Sequence, residues 1–149
     1  MSMTSIIGQK SIDFIFEVTA ERIKEFAQAI GDDNPLYSDE EHAKKMGYPT
    51  IIAPLTFPVV VAAANEKGFD LGLDQRRMLH GEQEFIYMRP IHVGDILSCH
   101  SIVSDVYEKK GKNGVMEFIV IDTNMLDVVG ELVVTSRMNI VYRALQKQR

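Results

Sequence analysis

The sequence predicts an α+β domain in which a curved antiparallel sheet wraps one helix. Three features carry this: a short alternating segment near the start, a central run that is almost wholly apolar, and a second half of four strand-like segments separated by turns. At 149 residues with 46% hydrophobic content, the chain can bury one substantial core, so a single domain over residues 1–149 is expected.

Residues 11–18 (SIDFIFEV) set Ile12, Phe14, Phe16 and Val18 against polar Ser11, Asp13 and Glu17, the period of two that marks a half-buried strand. Thr19 changes the period. Its hydroxyl can cap a helix, although Arg22 stands where a full capping box has Glu or Gln. Ile23, Phe26, Ala27 and Ile30 follow at helical spacing until Gly31 stops the run. Asp32, Asp33, Asn34 and Pro35 make a dense turn, after which Ser38 is placed to cap a second short helix over residues 39–46, closed by Gly47. From residue 51 to 64 the chain is nearly all apolar, as in a helix surrounded by protein. The spacing predicts the central helix over residues 55–65, with Pro54 near its first turn and Pro58 early enough to be accommodated.

The strand-like segments are residues 78–88, 96–108, 115–126 and 131–143. Lys110-Gly111-Lys112-Asn113-Gly114 reads as a hairpin turn and residues 126–130 (LDVVG) as a second connection, so consecutive hairpins imply an antiparallel meander. Residues 143–149 read as a polar end. There is no internal repeat, low-complexity segment or linker.

Composition excludes several functions. The net charge is −5 and the basic residues are dispersed apart from Lys109, Lys110 and Lys112, which leaves no footprint for nucleic acid. Cys99 is the lone cysteine, so neither an intramolecular disulfide nor a thiolate metal site is expected, and a reducing cytoplasm suits the chain. Residues 1–10 lack the basic start and apolar core of an export signal. The apolar run at residues 50–64 contains two prolines and falls short of the roughly 20 residues a bilayer needs, so no membrane partner is expected. His42, His92 and His100 have no spaced partner that suggests a metal site, and no cofactor is implied.

Gly31-Asp32-Asp33-Asn34-Pro35-Leu36-Tyr37 resembles the Asp-x-Asn-Pro-x-His motif of the MaoC-like hydratases, carried in an overhanging segment beside the helix of the hot-dog fold. The likeness continues through the apolar run and through His80 to Asp95 (HGEQEFIYMRPIHVGD). That stretch is similar to the N-terminal MaoC-type domain, also called the FAS1-like dehydratase domain, including the mycobacterial hydroxyacyl-carrier-protein dehydratase subunits. It covers most of the chain, and implies a hot-dog fold and a thioester substrate carried on CoA or on acyl carrier protein.

In active members the motif's Asp and His are taken to activate water and exchange a proton with the α-carbon of a 2-enoyl thioester. Water is a weak nucleophile at neutral pH and needs a positioned base, while the developing enolate oxygen needs donors. By position Asp32, Asn34 and Pro35 match the motif, and Tyr37 stands in the place of its His. A tyrosine with a reference pKa near 10 is protonated at pH 7 and is a poor base. Active hydratases also carry a His-Gly pair at the start of the central helix, whose glycine amide is thought to hold the thioester carbonyl. Here the pair is Ala53-Pro54, and proline has no N–H.

The resemblance therefore makes Asp32, Tyr37 and, as a replacement base on a strand, His80 the catalytic candidates. Asn34, Pro54, Leu55, Thr56, Phe57 and Gly81 are the substrate-binding ones, and the apolar run with Met78, Phe85 and Met88 supplies an acyl tunnel. Structural alternatives stand beside these. Asp32 can serve as a turn carboxylate, Tyr37 as a packed aromatic and Arg89 as a loop anchor.

Residues 53–57 particularly resemble the acyl-binding subunits of heterodimeric dehydratases. The leading reading is thus an acyl-binding homologue of an (R)-specific enoyl-thioester hydratase/3-hydroxyacyl-thioester dehydratase, completed by a catalytic MaoC-like partner. A hot-dog thioesterase using Asp32 or Glu66, and an acyl-thioester binding module without turnover, are the alternatives. Exposed sheet edges and the resemblance both predict at least a dimer, with itself or with the catalytic chain.

Overall fold

Five antiparallel strands form one sheet: β1 (Phe14–Glu17), β2 (Met78–Tyr87), β3 (Ile96–Gly111), β4 (Gly114–Leu126) and β5 (Leu132–Tyr142), in the order β1-β3-β4-β5-β2. The computed structural model describes residues 3–112 and 114–143. Asn113 of the first hairpin turn and residues 144–149 of the polar end lie outside the described residues. Three helices precede β2: α1 (Ala20–Ala29), α2 (Glu40–Lys45) and α3 (Pro58–Ala63). This is the hot-dog fold. The meander is confined to β3, β4 and β5, while β2 lies against β5 at the sheet edge opposite β1.

The ends of α1 follow the local sequence. The Thr19 hydroxyl accepts a hydrogen bond from the Arg22 N–H at 3.2 Å. At the other end Gly31, at φ +71°, lets its N–H reach Gln28 O at 3.1 Å while the Asp32 N–H reaches Ala27 O at 2.9 Å, a Schellman closure. Helix α2 starts later than expected. Ser38 is absorbed in a 3-10 turn over Pro35–Tyr37, and Asp39 caps instead, its carboxylate accepting from the His42 N–H at 3.2 Å.

The central helix is shorter than the predicted 55–65. Pro58 has no N–H to extend the ladder backward, so residues 54–57 form a separate turn closed by Phe57 N–H to Pro54 O at 2.9 Å. The helix is also covered on one side only: Pro58 and Val61 are buried, whereas Val59 and Ala63 are exposed. Strand β1 spans four residues, fewer than its alternation suggests. Ser11 still holds the preceding chain against β3, its N–H donating to Ser101 O and its hydroxyl accepting from the Ser101 N–H, both at 2.8 Å.

Two apolar clusters fill the inner face. One joins Phe16, Ile23, Phe57, Val61, Leu97, Met125 and Val134. The other joins Ile6, Val103, Val106, Ile119, Ile121 and Ile140.

The crossover from β2 to β3 ties these parts together. Asp95 is 6% exposed. Its carboxylate accepts from both terminal nitrogens of Arg89 and from the His92 N–H, all at 2.9 Å. The closed loop then receives two neighbours. Val18 N–H reaches Asp95 O at 2.8 Å and Gly94 N–H reaches Val18 O at 3.0 Å; Ala53 N–H reaches Ile91 O at 2.8 Å and Val93 N–H reaches Ile51 O at 2.9 Å. Asp95→Ala removes the acceptor that closes the loop, leaving Arg89 with Asp127 at 3.8 Å, and frees these segments together; it is expected to cost about 2–4 kcal/mol in a urea unfolding titration. A loss under about 1 kcal/mol would show that the loop holds without its ion pair.

Candidate functional site

The motif turn is built from two successive Asx turns. The Asp32 carboxylate accepts from the Asn34 N–H at 3.1 Å, and the Asn34 side-chain oxygen accepts from the Leu36 N–H at 3.0 Å. Pro35 opens the 3-10 turn, whose Tyr37 N–H returns to Asn34 O at 3.0 Å. Leu36 O in turn accepts from the Ile52 N–H at 3.2 Å, which fastens the turn to the segment entering α3. Asp32 therefore stands exposed at the helix end with one oxygen already engaged.

Tyr37 is half-buried and packs against the first apolar cluster. Burial, then the Asp32 carboxylate and then Tyr48 push its phenol above the ordinary value. At neutral pH it is a hydrogen-bond donor and no base. Its hydroxyl has no hydrogen-bond partner among the described residues.

The segment beside it offers few donors. The Ala53 N–H is committed to Ile91 O at 2.8 Å, and Pro54 has none. Pro54 is buried, while Leu55 and Thr56 are exposed. The Leu55 carbonyl is held by the Tyr87 hydroxyl at 2.7 Å. Phe57 is fully buried, edge-on to Phe16 and Phe26 at centroid distances of 5.9 and 5.6 Å. The structure thus gathers Asp32, Asn34 and Tyr37 in one turn and joins it to residues 53–57 through Ile52.

His80 and Gly81 stand elsewhere. They occupy a bulge of β2 against β5, where a Cβ on Gly81 would come within 2.9 Å of a Val141 methyl and 3.1 Å of Asn139 O. His80 faces a cavity of about 670 Å³ between the sheet, α3 and the loop after it; none of residues 32–37 or 53–57 lines this cavity. Met78 lines it too, Phe85 packs on the first cluster, and Met88 is exposed. Glu66 lies just beyond the α3 cap Ala64 and lines a second cleft with Arg22 and Lys67. Among the described residues no group of three or more His, Cys, Asp or Glu forms a metal site, and no helix is long and apolar enough to cross a membrane.

Sequence reasoning missed the cavity floor, where Ser101, Thr123, Ser136 and Gln83 meet. The available signal was a lone hydroxyl in an otherwise apolar face: Ser101 between Cys99 and Val103, Thr123 between Ile121 and Met125, Ser136 between Val134 and Met138.

A family model described as FAS1-like, dehydratase domain region matches residues 5–136. A UPF0336 protein of Thermobifida fusca is 40% identical over 132 residues, covering 86% of this chain and 84% of that protein. The C-terminally truncated HadBC (3R-hydroxyacyl-ACP dehydratase) complex from Mycobacterium tuberculosis contains a chain that aligns with a TM-score of 0.77 at 27% identity, covering 94% of this chain and 99% of that one. A solved MaoC-like dehydratase aligns with a TM-score of 0.84, also at 27% identity, over 95% of this chain and 43% of its own.

Because Asn34 alone satisfies the Leu36 amide, Asn34→Ala is expected to cost about 1 kcal/mol in chemical denaturation and to loosen the turn. Asn34→Asp keeps the acceptor and should lose much less; equal losses would point to a role other than the turn.

Proposed function

Because the chain belongs to the FAS1-like dehydratase domain family, we propose that it is an acyl-binding partner in an (R)-specific enoyl-thioester hydratase/3-hydroxyacyl-thioester dehydratase. It holds the acyl group of a CoA or carrier-protein thioester, while a MaoC-like chain with an intact Asp/His pair performs the chemistry. The observation that carries this reading is the motif turn, where Asp32 and Asn34 each accept a backbone N–H while the protonated phenol of Tyr37 occupies the position matched to the family's His. The neighbouring Ala53-Pro54 pair supplies no free amide to a carbonyl oxygen. Losing one oxyanion donor commonly costs about 10²–10³ in rate, and losing a general base about 10²–10⁴.

Hydration joins a water oxygen to C3 of the enoyl thioester, with a base accepting the water proton and a proton delivered to the α-carbon. In this reading the partner supplies both proton transfers, and this chain positions the acyl group and keeps bulk water from it. Assembly is supported by what the monomer leaves open. β2 is an edge strand, with Leu79, Ile86 and the adjoining Met88 exposed, and α3 shows an apolar side to solvent. The HadBC chain that aligns with this one is likewise part of a complex.

The test is crotonyl-CoA hydration, followed by loss of the enoyl absorbance. The purified chain is expected to show negligible turnover, and Tyr37→His alone should not restore it, because the carbonyl donor is still missing. Mixing with a MaoC-like chain bearing Asp-x-Asn-Pro-x-His should give a rate well above that of either chain. Vigorous hydration by the chain alone, or a mixture no faster than its catalytic member, contradicts the reading; release of free CoA would identify a thioesterase.

A further inference from the structure

We propose that the cavity under α3 receives an acyl chain bearing a neutral oxygen, a hydroxyl or a ketone, remote from the thioester; this rests on the acyl-binding reading above. The cavity is walled by Val59 and Ala62 of α3 and by Phe69, Leu71 and Leu73 of the loop that follows. Such walls suit hydrocarbon. The floor does not.

Ser101, Thr123 and Ser136 lie side by side across β3, β4 and β5, since the register pairs Ser101 with Thr123 and Thr123 with Ser136. They are 7%, 5% and 4% exposed, and all three line the cavity. Two residues away on either side, the same strands carry Cys99, Met125 and Val134 in one apolar cluster, and Val103, Ile121 and Met138 in or against the other. The hydroxyls form a polar seam between two apolar halves. Valine and alanine would close this floor without desolvating any polar group.

A count of protons shows what the seam lacks. The Ser101 and Thr123 oxygens are 2.7 Å apart, so one hydroxyl donates to the other and the receiver's proton is unspent. Ser136 accepts from the Gln83 side-chain amide at 2.9 Å, and that amide also donates to Arg137 O at 3.1 Å. The proton of Ser136 itself meets no acceptor among the described residues. Two buried O–H donors therefore face the cavity, and the acceptor they need must come from its occupant. The two unspent donors are neutral hydroxyls, which suit a ketone or hydroxyl oxygen; the ammonium that lines the cavity, Lys67, stands on the loop after α3 and not in the seam.

The position of that oxygen follows from the walls. Residues 32–37 and 53–57, where the family places the thioester, take no part in the cavity. The oxygen matched to the seam thus lies farther along the acyl chain than the thioester carbonyl or the 3-hydroxyl.

The test is calorimetric titration of the full chain with decanoyl-CoA, its 3-hydroxy derivative, and a positional series hydroxylated or oxidised to the ketone at each carbon beyond the third. At least one member of the series is expected to bind about three- to tenfold more tightly than decanoyl-CoA, the gain of one well-made hydrogen bond. In the variant lacking all three hydroxyls, Ser101→Ala/Thr123→Val/Ser136→Ala, that affinity ratio should fall to one, and thermal melts establish that it folds; where it does not, the pair variant Ser101→Ala/Thr123→Val and the single variant Ser136→Ala decide, since at least one of them must lower the ratio toward one. Equal affinities throughout, or a preference confined to the 3-hydroxy derivative, overturn the proposal while leaving acyl binding intact. Binding of none of them removes the acyl-binding reading, and the proposal with it.

Discussion

The bidentate pair between Arg89 and Asp95 is the constraint on which the placement of the site depends. It closes the crossover from β2 to β3, and the closed loop then offers its backbone to two segments that also meet in the first apolar cluster. Val18 binds on one side and fixes where β1 gives way to α1. Residues 51–53 bind on the other and fix where the chain enters α3, and through Ile52 they hold the motif turn at Leu36. Arg89 also lies 3.8 Å from Asp127, in the connection between β4 and β5. A buried carboxylate is costly to desolvate, so its retention makes sense where three donors converge on it and where register, more than net stability, is what it secures.

Much of the fold is legible because its signals are local. Thr19 and Gly31 mark the ends of α1 through bonds made within a few residues, and the hairpins of β3, β4 and β5 announce themselves through turn residues. The parts that escape are set by distant partners. Nothing in residues 78–88 says that the strand will pair with β5 across the sheet and not with β3, its neighbour in sequence. Likewise the apolar run could not reveal that Pro58 begins a six-residue helix, because apolarity reports burial and is silent on where a hydrogen-bond ladder is cut. The serine and threonine floor escaped for a related reason: Ser101, Thr123 and Ser136 become one feature only after the strand register brings them together.

The motif turn shows why a sequence signature and a chemistry can separate. Asp32 and Asn34 accept backbone hydrogen bonds, and Pro35 presets the backbone of the short helix that follows. These residues are needed for the turn to exist, whatever the turn does. Tyr37 contributes its backbone to the same structure, but its hydroxyl carries none of the turn's hydrogen bonds. Of the residues matched to the motif it is the one whose polar group the turn does not use, and it is the position at which this chain departs from the hydratase motif.

A chain in this condition has good reason to work beside another. Helix α3 has six residues, three of them valine, far too short and too β-branched to persist without packing. Its inner side is secured by Pro58 and Val61, and the turn before it by the bond from Tyr87 to Leu55 O, while its outer side meets solvent. The edge of β2 is open as well. A second hot-dog domain laid along that edge would cover apolar surface, complete the sheet and bring its own Asp and His, so that the contacts finishing the fold would also deliver the missing base. Under that arrangement this chain would contribute the shape and polarity of what it encloses, and the hydroxyl seam is the polar part of that enclosure.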